Sequence, residues 1–92
     1  MATALSPEEV NARLAALPHW HHHPPYITRT FRFARYPQAV AFAVEVALHA
    51  ERVDHHPELV IGYATVEVRY WSHDAGGLTA RDFESAHALD AR

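Results

Sequence analysis

The sequence predicts an α+β fold: an antiparallel four-stranded sheet with three helices packed on one face, in the order α-β-β-α-β-β-α. Three observations carry this expectation. Residues 26–33 and 64–73 alternate apolar and polar side chains with period two, the mark of half-buried strands. A long run from Pro37 to His55 is apolar at helical spacing. Two further segments open with capping signals, "SPEE" at Ser6 and "TARD" at Thr79. Helices gathered on one face of an antiparallel sheet bury both sets of apolar side chains in one core. At 92 residues the chain makes one domain, residues 1–92, with a thin core.

The first helix starts at Ser6, with Pro7 suited to its first position and Glu9 completing a capping box. Val10, Leu14 and Leu17 share one face, and Pro18 should stop the helix. "HWHHHPPY" follows, with four histidines in five positions. His19 and His23 have helical spacing, but Pro24 and Pro25 disfavour a helix that would present both rings. An exposed strand or loop is expected there, without a dedicated metal site. In "YITRTFRF", Ile27, Phe31 and Phe33 share a face that Arg29 interrupts.

The central helix leaves only a narrow polar stripe, Glu45, His49 and Arg52. That is more apolar surface than one small sheet covers, so a second subunit is expected over the excess. A homodimer or homotetramer through the sheet edge and the central helix is the expected assembly. Pro57 should end this helix, with His55 and His56 at its C-terminal edge. "ELVIGY" and "ATVEVRYWSH" are the last two strands; Val66, Val68 and Tyr70 alternate with Thr65, Glu67 and Arg69. Gly76 and Gly77 make a turn, and the final helix turns Phe83, Ala86 and Leu89 inward.

Composition excludes several function classes. The net charge of −3 disfavours a nucleic-acid surface. The absence of cysteine removes thiol nucleophiles and thiolate metal sites. No basic and apolar leader opens the chain, and the most apolar run is broken by Glu45, so neither secretion nor membrane insertion is expected. A cytoplasmic protein is the expectation.

The chemistry concentrates in "AERVDHHPEL", residues 50–59. Glu51 and His55 are four apart, and a carboxylate one helical turn away can orient an imidazole. A helix C-terminus favours a cation as well. His56 precedes Pro57, so its backbone is extended and can swing its ring round. His73 ends a strand beside Asp74 and two glycines, where loop-borne functional groups sit. No His-Glu-x-x-His motif occurs, and none of Ser6, Ser72 and Ser85 lies in a nucleophile elbow. The residues read as histidine acid/base equipment with carboxylate partners and no metal. His87 reads as surface.

Glu51, His55-His56-Pro57, Tyr63, His73 and Asp82, with "SHDAGGLTARD" and the element order, resemble the pterin-4a-carbinolamine dehydratase family. Trp20 matches the tryptophan ahead of that family's first strands. The resemblance implies dehydration of a 4a-hydroxytetrahydropterin to the quinonoid dihydropterin, which recycles the cofactor of aromatic amino-acid hydroxylases. It implies that His55, His56 and His73 line the pterin pocket, His55 leading the acid/base chemistry. It implies that Glu51 and Asp82 orient the rings or bind substrate, that Pro57 shapes the wall and that Trp20 closes one side. The pterin is then the substrate, and no cofactor is needed. The chain departs from the family pattern at Ala64, where asparagine is usual after the tyrosine, and at Trp71-Ser72, where two small polar residues are usual. Two alternatives come with the resemblance. An animal member also serves as a dimerisation cofactor of a homeodomain transcription factor through its central helix, so an interaction protein is one. The other is the same fold acting on a different pterin, as in molybdopterin metabolism.

Overall fold

A computed structural model describes residues 3–92. Its elements are α1 (Pro7–Leu14), β1 (His21–His23), β2 (Tyr26–Arg32), α2 (Tyr36–Val53), β3 (Glu58–Ile61), β4 (Thr65–Tyr70), a 3₁₀ turn (His73–Ala75) and α3 (Ala80–Asp90). The four strands form one antiparallel sheet in the order β1-β2-β4-β3. Fold class and element order agree with the expectation from sequence.

The Ser6 capping box forms at both ends: the Ser6 amide donates to Glu9 Oε1 at 2.8 Å, and the Glu9 amide donates to Ser6 Oγ at 3.2 Å. The α-helix stops at Leu14, short of Pro18, because Ala16 and Leu17 tighten into i→i−3 bonds with Arg13 and Leu14. Leu17 still reaches the core. The histidine run becomes the exposed edge strand β1. In the turn between β3 and β4, Gly62 leaves room for the Thr65 side chain: a Cβ there would meet Thr65 Oγ1 at 2.7 Å, so that hydroxyl would have to shift.

Strand register explains the alternation. Ile27 pairs with Tyr70 and Phe31 with Val66 on the helix side, while Thr28 pairs with Arg69 and Thr30 with Glu67 on the other. Arg29, the exception on the inner face, reaches Asp90 of α3 at 2.6 Å and lays its guanidinium over the Phe31 ring at 4.2 Å. On the outer face Arg69 donates to Glu67 through two nitrogens, each at 3.0 Å, and to Glu58 at 2.7 Å. Those bonds, and one from Thr28, hold the Glu67 carboxyl below its ordinary range.

The central helix buries Ala39, Phe42, Ala43, Val46 and Ala50, a stripe with helical spacing, while Val44 and Leu48 stay more than half exposed. It ends at Val53, two residues before the end expected from Pro57. Asp54 adopts the left-handed conformation (φ 53°), and the His55 amide closes back on the Ala50 carbonyl at 3.1 Å. Arg81, reaching across from α3, donates to the Val53 and Asp54 carbonyls. The last carbonyls of α2 are thus capped by a side chain far away in sequence.

Candidate active site

The early end of α2 redirects both histidines. His55 has left the helix and is only 7% exposed. Its ring lies parallel to Tyr70 (6.0 Å between centroids, 7°), and its Nε2 meets Asp82 Oδ1 at 2.6 Å. Asp82 is completely buried. It occupies the third position of α3, where a carboxylate caps a helix start. Its other oxygen accepts from the Thr79 amide and from Ser72 Oγ, both at 2.9 Å, and the Ser72 and Thr79 hydroxyls are 2.7 Å apart.

The donors can be assigned. An ionised carboxylate only accepts, so Ser72 gives its single proton to Asp82 and the Thr79 hydroxyl donates to Ser72. His55 must then carry a proton on Nε2, which leaves Nδ1 as the nitrogen free to exchange one. A buried carboxylate requires such a set of donors, since without them its desolvation would be prohibitive. Among the described residues the Tyr70 hydroxyl has no partner, and burial, with the nearby Asp82 charge, pushes its pKa up.

Glu51 pairs with His56, not with His55. His56 Nε2 and Glu51 Oε1 are 2.9 Å apart at an exposed position. The i, i+4 pairing expected of Glu51 and His55 requires helix through His55, and the turn at Asp54 removes it. Pro57 is half-buried beside them, and His73 is exposed at the start of the 3₁₀ turn. The Ser72 amide donates to the Gly77 carbonyl at 2.9 Å, closing the loop that carries His73.

Trp20 lies in the core, 4% exposed, with Nε1 donating to the Asp90 carboxylate at 3.0 Å. Its ring packs on Tyr70, the same ring that His55 lies parallel to. The structure thus places Trp20 in the core beside Tyr70. The structure joins His55 to Asp82 and Glu51 to His56, and it places His73 next to Ser72. Ser72 is the partner that sequence reasoning missed, whereas the Thr79–Asp82 capping box is the one expected from "TARD". The available signal was that Ser72 directly adjoins His73, a residue already singled out. His55 also borders a groove of about 290 Å³ between α2 and α3, with His49, Val53, Arg81 and Ser85. Among the described residues no group of three or more His, Cys, Asp or Glu is set to hold a metal ion, and no helix is long and apolar enough to cross a membrane.

Comparison with known proteins agrees along the whole described chain. The family profile described as pterin 4 alpha carbinolamine dehydratase matches residues 3–92. A protein of Novosphingobium aromaticivorans, provisionally named a pterin-4-alpha-carbinolamine dehydratase, is 48% identical over 89 residues, covering 95% of this chain and 93% of its own. One of Chloroflexus aurantiacus with the same provisional name is 45% identical over 86 residues, covering 94% and 92%. A crystal structure from Brucella melitensis, described as a transcriptional coactivator/pterin dehydratase, superposes with a TM-score of 0.89 at 35% identity and covers 97% of both chains.

Proposed function

The chain belongs to the pterin 4 alpha carbinolamine dehydratase family, and from that premise we propose that it dehydrates a 4a-hydroxytetrahydropterin to the quinonoid dihydropterin and water. In this reading it is a cytoplasmic enzyme that recycles the cofactor of aromatic amino-acid hydroxylases. The observation that carries the proposal is His55, locked through Nε2 by a buried carboxylate that two further donors, the Ser72 hydroxyl and the Thr79 amide, hold in place. Dehydration breaks the C4a–O bond, and the bonding pair leaves with oxygen. One acid protonates that oxygen to give water, one base removes the N5 proton, and the N5 pair forms the C4a=N5 bond. Imidazoles titrate near neutrality and suit both tasks. His55, working through Nδ1, is the leading group; His56 and His73 are its partners. Glu51 orients His56, Asp82 orients His55, and Pro57 shapes the wall beside them. The test is stopped-flow dehydration of a freshly generated 4a-carbinolamine. A rate no faster than the uncatalysed one would sink the proposal.

The pterin is the substrate in this proposal, and neither metal nor bound cofactor takes part. Chelator should leave the rate unchanged, and elemental analysis of untagged protein should find no stoichiometric zinc, iron or nickel. A metal held one per chain and lost together with activity would overturn the mechanism.

A second property is proposed on a separate observation. Val44, Leu48 and Val53 of α2 and Val60 and Ile61 of β3 are each at least 42% exposed. Such a surface suits a homodimer or homotetramer, with a second copy over α2 and the β3 edge. Ala47 is exposed and Ala43 is buried in the chain's own core, so the two separate assembly from folding. Ala47→Glu should yield a folded protein of lower mass by light scattering, whereas Ala43→Glu should unfold it. A wild-type monomer at micromolar concentration would contradict this reading. Co-purification of a stable foreign partner would favour an interaction role for the same face.

A further inference from the structure

His73 differs from the other two site histidines in what holds it. His55 is fixed by Asp82 and His56 by Glu51. Among the described residues no hydrogen bond or ion pair holds the His73 ring; the ring it touches is Trp71, with centroids 4.2 Å apart at 36°. Local backbone geometry dictates the contact. Ser72 is extended (φ −101°, ψ 103°), so residues 71 and 73 project to one side and Ser72 to the other. Burial follows the same alternation: Tyr70 and Ser72 are buried, Trp71 is half-buried and His73 is exposed. Ser72 turns inward to Asp82, which leaves the indole and the imidazole side by side outside.

Trp71 is itself braced. It packs against the core cluster, and the Tyr26 ring stands 5.7 Å away at 42°. Tyr26 in turn stacks on His23 (5.4 Å, 11°) and lies under the Arg69 guanidinium at 5.0 Å. The loop backbone under His73 is closed by the Ser72–Gly77 bridge. Among the described residues no polar bond ties the His73 side chain, and an untied imidazole samples several rotamers. A broad indole wall removes those that would run into it.

We infer that Trp71 is the positioning residue of His73: the indole selects the rotamer in which the imidazole is presented to the substrate. The inference rests on the dehydratase reading. Trp71→Leu should lower kcat about tenfold and move KM less, the order expected when a reacting group is misdirected without being removed. Trp71→Phe keeps an aromatic wall and should recover most of the rate. In a His73→Ala background Trp71→Leu should cost nothing further, because the interaction it removes is already gone. Independently of activity, nuclear Overhauser contacts between indole and imidazole protons should appear in the unmodified protein. An equal cost of Trp71→Leu with and without His73, or no such contacts, would overturn the inference. A wild-type protein that shows the contacts but does not dehydrate the carbinolamine would overturn the functional reading, and with it the effect of Trp71 on turnover, while leaving the packing intact.

Discussion

Replacing His55 by alanine should lower the dehydration rate by about 10²-fold or more, the usual size of general acid/base assistance. The reason lies in the division of labour within the ring. Nε2 is committed to Asp82 at 2.6 Å, and that commitment leaves Nδ1 to trade protons with substrate. The fold should survive. Without the imidazole, Asp82 still accepts from Ser72 and from the Thr79 amide. The loss of one charge-assisted bond costs about 1.5–3 kcal/mol, less than the stability of a typical domain. Turnover of the purified variant, with its melting temperature measured beside it, checks both halves. Near-normal turnover in a folded His55→Ala protein would remove His55 from the mechanism.

Asp82→Ala should be the most destabilising single change in the site. Asp82 is fully buried, and its removal orphans three donors at once: His55 Nε2, the Ser72 hydroxyl and the Thr79 amide. It also strips the negative charge from the start of α3. Leaving buried donors unsatisfied costs about 1–3 kcal/mol for each, so the loss is a large share of the stability of a small domain. Asp82→Asn keeps the shape and one acceptor oxygen, so its stability should fall between alanine and wild type. Urea unfolding resolves this order. A loss for Asp82→Ala no larger than about 0.5 kcal/mol, the range of an ordinary surface substitution, would mean that the network holds nothing up. Turnover should fall in both variants, since neither presents His55 in its tautomer.

The sheet is legible from local pattern because a period of two leaves each strand little choice of face. Val66, Val68 and Tyr70 point inward as their alternation requires. Arg29 looks like a defect in sequence, and its reason, Asp90, lies 61 residues further along the chain. The end of α2 is misread from sequence for a similar cause. Pro57 is a local stop signal, but the stop is set earlier by a left-handed Asp54 and by Arg81 from α3. The pairing of Glu51 is misread with it, since that spacing assumes a helix still running at His55. Asp82 is legible twice over, as a capping residue and through the family resemblance. Neither signal tells of its bond to His55, which spans 27 positions. Trp20 shows the opposite limit. An aromatic residue ahead of the strands could lie at the surface or in the core, and only packing decides which.

The same carboxylate begins α3 and holds His55, and this bears on how the site could be moved to another scaffold. Copying the three histidines alone would carry over rings without their orientation. The portable unit is a helix start: Thr79 to Asp82, with Ser72 donating from the preceding loop and His55 arriving from a separate turn. A host protein would need to supply a helix whose first turn faces inward, with one strand end and one helix end converging on it. Surface-exposed helix starts, the easiest places to graft onto, are the wrong recipients.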